Sequence, residues 1–261
     1  MRRKLSAVFP GTRAPSLLTL LFLLPFVFGC AHTGESKLKE KAGVHYRLGN
    51  EYYKAGKLAD ALKEYTRAVE IYPDEPSYHL MLGYAYDARG LEERAEAEMK
   101  DSVRLDPMFS EGHIGLAFLA QKRGDWDEVI RECQEALKNI YYKTPEAAYL
   151  NMGIAYYEKG DYASSVDNLG RAISLRPGFA VAYYNLGLAL ERQKKRDKAI
   201  SVYRKALKYR PDYVEAYYRL GFLLVKKHDK DGAVEAFEKV LDLAPESEEG
   251  RSAREYLDLL R

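Results

Sequence analysis

The chain has 261 residues, and its 41 Lys and Arg nearly balance 39 Asp and Glu, for a formal net charge of +2. That balance excludes the basic electrostatic footprint of a nucleic-acid binder. Two cysteines cannot build a disulfide framework in a chain of this length.

In chain order, the first element is a leader. Arg2, Arg3, Lys4 and Arg13 precede an apolar run from Leu17 to Phe28, and no acidic residue occurs before Glu35. The run is too short to cross a membrane, which takes about 20 apolar residues. A buried helix is disfavoured by Pro25 and by the lack of a polar face. A positive start, a short apolar stretch and a small residue before the cut make residues 1–29 a predicted secretory signal. Val27-Phe28-Gly29-Cys30 resembles a bacterial lipobox, which implies diacylation of the Cys30 sulfur and cleavage before it. Ala31 after the cysteine, by the same resemblance, implies the outer membrane, with the chain on its periplasmic face. Without its leader the chain carries 37 basic residues against the 39 acidic ones, a net −2. Residues 31–41, "AHTGESKLKEK", are predicted to be a flexible polar tether with a reach of roughly 20 Å.

A period of 34 residues follows. Gly49 and Gly83, Tyr52 and Tyr86, Gly56 and Gly90, Ala61 and Ala95, and Pro73 and Pro107 are each 34 apart. The register passes through Ala117 and Gly124, slips by two residues, and resumes at Gly153, Gly187 and Gly221. Pro177, Pro211 and Pro245 close the later units. The pattern resembles the tetratricopeptide repeat. It implies an all-α, right-handed solenoid of six helix pairs over 42–75, 76–109, 110–145, 146–179, 180–213 and 214–247.

Each recurring position has a physical reason. The glycine of the "LG" dipeptide lies within a first helix, where it costs about 1 kcal/mol relative to Ala. It therefore marks a close approach, matched by a small residue on the second helix at Ala61, Ala95, Ala199 and Ala233. Val129 and Ser165 replace that alanine in units three and four. Gly56, Gly90, Gly124 and Gly160 suit a left-handed turn. Lys194 and His228 hold the same place in units five and six, so those turns are predicted to be strained or different. Residues 248–261 are predicted to form a capping helix, with Ala253, Tyr256, Leu257 and Leu260 on one face.

No cofactor site or active site is legible. His45, His79 and His113 recur at 34-residue intervals. Equivalent positions in stacked pairs stand some 8–10 Å apart, too far to share one metal ion, so the histidines read as packing residues. Cys133 occupies the place of Tyr65, Tyr203 and Phe237 and reads as a small buried hydrophobe. Phosphate-loop, HExxH and GxSxG motifs are absent. The chain therefore reads as a binding protein, with no small-molecule substrate. Two basic runs, 192–198 and 226–230, are predicted to form a solvated ridge, with anionic head groups as the functional reading.

In solenoids of this family the first helices line a concave groove. Here that lining comprises Tyr46, Asn50, Tyr53, Leu80, Tyr84, Ile114, Phe118, Tyr157, Tyr184, Leu188, Tyr218 and Phe222, with Leu150 and Ile154 between. An apolar, aromatic wall on a polar protein fits an amphipathic helix or an extended apolar segment. A clamp for an acidic C-terminus is excluded, because only Asn50 matches its polar lining.

The slip in register falls in "KNIYYKTPEAAYLNMGIAYYEKGDY", residues 138–162. Its Tyr-x-Thr-Pro segment, with the lipobox and six repeats, is similar to lipoproteins of type IV pilus biogenesis, the pilotin family of PilF/PilW type. The resemblance implies a partner in a secretin subunit, escorted to the outer membrane. The alternative is an outer-membrane adaptor that recruits periplasmic cell-wall hydrolases or proteases.

Overall fold

The computed structural model describes residues 24–260, with side chains from Gly34 onward. Residues 1–23 of the predicted signal segment lie outside the described residues, as does the Cys30 side chain. Among these the chain forms thirteen α-helices and no strand, and no helix is long and apolar enough to cross a membrane.

Twelve helices form six antiparallel pairs: α1 (Leu24–Lys54) with α2 (Leu58–Ile71), α3 (Pro76–Ala88) with α4 (Glu92–Leu105), and α5 (Ser110–Arg123) with α6 (Trp126–Ala136). The next three are α7 (Pro145–Glu158) with α8 (Tyr162–Leu175), α9 (Ala180–Arg192) with α10 (Arg196–Tyr209), and α11 (Val214–Val225) with α12 (Lys230–Leu243). Each pair stacks on the next, and α13 (Glu248–Leu260) closes the array. The predicted all-α solenoid is the observed fold.

The tether is not flexible. Residues 34–41 are turns of α1, because Glu, Ser, Lys and Leu are adequate to good helix formers with no breaker after Gly34. This extension is also pinned sideways: Lys39 pairs with Glu75 at 2.8 Å, and the Tyr72 hydroxyl donates to Glu35 at 3.1 Å.

The prolines stop the second helices by restricting the residue before them. Tyr72, Asp106, Arg176, Arg210 and Ala244 all leave the helix with φ between −132° and −150°. Each precedes a repeat-closing proline. The unit-three helix α6 stops early at Ala136, and residues 137–144 loop outward before Pro145 opens α7. In that loop Ile140 and Tyr141 are almost fully exposed, while Tyr142 turns in against the core around Cys133 and Met152.

Inside each pair the glycine does more than meet a small partner. Ala61, Ala95, Ala199 and Ala233 are fully buried as expected. However, the space left by the missing side chain is filled by the large residue 16 positions further on. A Cβ at Gly49 would stand 2.7 Å from the Tyr65 ring, at Gly153 2.6 Å from Leu169, at Gly187 2.3 Å from Tyr203, and at Gly221 2.8 Å from Phe237. Unit three reverses both sizes. Ala117 replaces the glycine and Cys133 the aromatic, and both are buried in one cluster. Cys133 is thus a volume correction, and burial pushes its thiol up to about 12, leaving it inert at neutral pH.

The turns between paired helices are uniform. Gly56, Gly90, Gly124 and Gly160 have φ of 70° to 80°, and Lys194 and His228 take the same left-handed conformation at 60° and 63°. Of the two expected alternatives, strain is the one observed. Lys194→Gly and His228→Gly are each expected to stabilise the fold by about 0.5–1 kcal/mol, the left-handed penalty less glycine's extra chain entropy. Thermal melting checks this; a lower midpoint for either variant would contradict it.

At the C-terminal end, Ala253 and Leu257 of α13 are buried, and the Tyr256 ring stacks on Phe237 with centroids 5.0 Å apart. The two basic runs lie together at one edge. Arg196 donates to the Lys226 carbonyl at 3.1 Å, and Lys227 pairs with Asp197 at 2.6 Å.

Candidate functional site

The stacking decides which wall faces inward. First helices of successive pairs touch (α3 on α5, α5 on α7, α7 on α9), and no comparable contact joins successive second helices. The array is tighter on the first-helix side, which therefore lines the concave surface.

The middle of that surface is an aromatic patch. Tyr84 and Phe118, from adjacent units, have ring centroids 6.2 Å apart, and Phe118 is 40% exposed. Burial pushes the Tyr84 phenol up to about 12. The Tyr53 phenol is also raised, by burial and then by Asp87. Lys122 pairs with Asp87 and lies 5.8 Å from the Phe118 ring centroid. Apolar faces are thus presented beside one fixed ion pair. A second patch surrounds Tyr184, whose ring lies 5.9 Å from Tyr203 and 4.9 Å from Tyr213. Half-buried Arg219 and Glu191 adjoin it, and the Tyr203 hydroxyl donates to Glu191 at 2.5 Å. Tyr157 stands nearer the edge, under Arg192, which also bonds the Tyr162 hydroxyl at 2.9 Å.

Several predicted lining residues prove structural. Leu80 is buried between units, where a Cβ at Gly115 would stand 2.7 Å from its Cδ1. Asn50 accepts the buried Tyr65 hydroxyl at 2.7 Å. Tyr46 packs on Tyr78, with centroids 4.9 Å apart. Ile114, Leu150, Ile154, Leu188 and Tyr218 are half-buried. Phe222 is partly covered by the chain's own cap, with Tyr256 edge-on to it at 6.1 Å. Sequence reasoning missed Asp87, Lys122 and Arg219. The first two sit at inward-facing positions 12 and 13 of their units, so their charges were a usable signal; Arg219 had none.

The histidines are not mere packing residues. His45, His79 and His113 each place Nδ1 2.7–2.8 Å from a glutamate 19 residues on, namely Glu64, Glu98 and Glu132. Units four to six carry Tyr149, Tyr183 and Tyr217 opposite Asn168, Val202 and Ala236 instead. The His–Glu pairing was therefore legible as a covarying couple. In units two and three the ring's Nε2 also reaches a carbonyl of the preceding unit, Pro73 at 2.8 Å and Pro107 at 3.2 Å. His79, Glu98 and Asp101 are close enough to hold an ion, yet both ring nitrogens already face acceptors and Asp101 pairs with Arg104. A ring between a carboxylate and a carbonyl has an acceptor for each of its two N–H groups, an arrangement that favours the protonated form.

Burial alone would lower the pKa of His79 and His113, but the glutamate and carbonyl outweigh it, and both are raised. Proton binding thus favours the fold. The gain is complete below the unfolded value of about 6.5 and is lost as pH rises through the elevated folded value. Melting temperature is expected to fall as pH rises from about 6.5 through that elevated value. Replacing His79 and Glu98 by the Tyr and Val of unit five should flatten that slope; an unchanged slope would contradict the assignment.

Comparison with known proteins agrees with this architecture. Family models described as TPR repeat or tetratricopeptide repeat match residues 49–90, 76–107, 153–194, 192–228 and 214–247, together more than half of the chain. Among solved structures, PilW, described as a widely conserved type IV pilus biogenesis factor, superposes with a TM-score of 0.75. It is 18% identical, and the match covers 82% of this chain and 98% of PilW. PilF of Pseudomonas aeruginosa also gives 0.75, at 15% identity over 85% of this chain and 99% of PilF. At these identities the likeness shows the fold alone. Among curated relatives, a TPR repeat-containing protein YpiA of Bacillus subtilis is 27% identical over 144 residues, 53% of this chain. The chain spans only 12% to 32% of the lengths of the first such relatives. The repeat models, the helix pairs and the 34-residue period agree: the chain belongs to the tetratricopeptide-repeat proteins, whose fold is a scaffold for binding other proteins.

Proposed function

We propose that this chain is a lipid-anchored assembly factor of the outer membrane, acting without catalysis like a pilotin for the type IV pilus secretin. It binds an amphipathic or apolar segment of the secretin subunit in its concave groove. The observation that carries this reading is the Tyr84–Phe118 patch, where a large apolar ring stands exposed on the inner wall. Support comes from the fold shared with PilW and PilF over nearly their whole lengths. The Tyr142-Lys143-Thr144-Pro145 segment and the lipobox add to it. Lipidation of Cys30 gives the escort its address, since multiple acyl chains anchor stably where one does not. A tethered binder would keep an aggregation-prone ring subunit from inserting into the wrong bilayer.

Co-purification tests the reading. The full chain extracted from membranes is expected to bring down the secretin subunit, and its deletion to abolish secretin multimers. Multimers that persist at normal levels in the deletion strain would overturn the proposal. Cys30→Ser is expected to move the chain from the outer-membrane fraction to the soluble periplasm.

A further inference from the structure

Among the described residues, the N-terminal end of the stack is an unfilled repeat socket. In every later unit, position 3 of the first helix is buried against the preceding pair: Tyr78, Gly112, Ala148, Ala182 and Ala216. Position 7 is buried or half-buried likewise, at Leu82, Leu116, Met152, Leu186 and Leu220. In α1 these positions are Val44 and Leu48, which are 51% and 40% exposed. His45 keeps its glutamate, but its Nε2 lacks the preceding-unit carbonyl that His79 and His113 contact. A cavity of about 540 Å³ opens beside it between α1 and α2. The C-terminal end is covered by α13, whereas this end has no counterpart among the described residues.

The interior of the chain specifies what fills such a socket. Four of the five later sockets receive the last turn of a second helix, presenting a small residue and then an aliphatic one: Ala68-Val69, Ser102-Val103, Ala172-Ile173 or Ala206-Leu207. The contact is tight, since a Cβ at Gly112 would stand 2.6 Å from Ser102 Oγ and 2.8 Å from Val103. After three intervening residues comes the proline, whose carbonyl faces the histidine at His79 and His113. The α1 extension adds charge complementarity. Lys37 and Lys41 are exposed, form no ion pair among the described residues, and share a helical face with Val44 and Leu48. They stand where the incoming helix would end, and a helix C-terminus carries partial negative charge.

We infer that this end face docks an amphipathic α-helix of another polypeptide, ending in the order small, aliphatic, three residues, proline, with the proline carbonyl received by His45. The socket is distinct from the concave groove, and its test separates the two. A synthetic peptide of residues 58–75, which carries Ala68-Val69 and Pro73, is titrated to millimolar concentration into the full chain bearing methyl isotope labels. Saturable shifts are expected at the Val44 and Leu48 methyls. Leu48→Glu, at an exposed position, is expected to weaken binding by about tenfold or more, and Phe118→Glu to leave it unchanged. No saturable shift, shifts confined to the groove, or equal binding by Leu48→Glu would overturn the inference. Sedimentation of the chain alone supplies a further check: self-association abolished by Leu48→Glu would make the occupant a second copy and overturn the assignment to a different polypeptide.

Discussion

Gly187→Ala is expected to destabilise the fold by about 2–3 kcal/mol, among the larger costs for a single added methyl. The new Cβ would stand 2.3 Å from the Tyr203 ring. Tyr203 is fully buried and its hydroxyl is held by Glu191, so the ring cannot swing aside. A drop of roughly 5–10 °C in melting temperature follows for a chain of this size. Unit three supplies the control. Cys133→Tyr alone puts a large ring against Ala117 and is expected to be at least as damaging. With Ala117→Gly in the same chain it recreates the pair found in units one and five, and much of the loss is recovered. A double-mutant cycle measures the coupling, which is expected to exceed about 1.5 kcal/mol. Additive losses would show that the two positions do not share one volume.

Phe118→Glu is expected to abolish capture of the secretin subunit while leaving helicity and melting temperature close to those of the parent. Phe118 is the most exposed of the predicted groove aromatics, so a charge there remains solvated when nothing is bound. Binding would bury that carboxylate against Tyr84 with Lys122 already committed to Asp87, and an unpaired buried charge costs several kcal/mol. Tyr84→Glu is a poorer probe, because the Tyr84 hydroxyl is already desolvated and the substitution strikes the core as well as the groove. Undiminished capture by Phe118→Glu, measured in the same co-purification, would place the contact elsewhere, at the exposed Ile140–Tyr141 loop or the basic edge.

The fold was legible because its rules are local. A glycine or alanine every 34 residues, a left-handed turn and a closing proline each act within a few residues, and the helix pairs follow from them. The helical extension of α1 was misread, since polar composition fits both a tether and a solvated helix. What decides between them is a pairing across 36 residues, Lys39 with Glu75. The size exchange at Ala117 and Cys133, and the histidine–glutamate couples, were present in the sequence as paired positions 16 and 19 apart. Reading each column alone hid them.

The groove was half legible. Helical spacing places Tyr84, Phe118 and Tyr184 on the first-helix wall, on α3, α5 and α9. It does not say which side chains lie under a neighbour. Leu80 fills the space beside Gly115, and Asn50 serves Tyr65. Burial in a solenoid is decided by the next repeat, so a single unit's pattern cannot separate lining from packing. The end face on α1 is the converse case: its Val44 and Leu48 look like core in the alignment of repeats, and only the stacking reveals that no helix pair precedes them among the described residues.

In the proposed function, the inner wall receives another polypeptide at the Tyr84–Phe118 patch. Photocrosslinking from a photoreactive amino acid at position 118, in cells assembling pili, tests this contact, with position 91, exposed in the turn between α3 and α4, as the comparison. An adduct with the secretin subunit from position 118 and none from position 91 is the predicted result. Adducts from position 91 alone, or none from position 118 while secretin rings assemble normally, would contradict it.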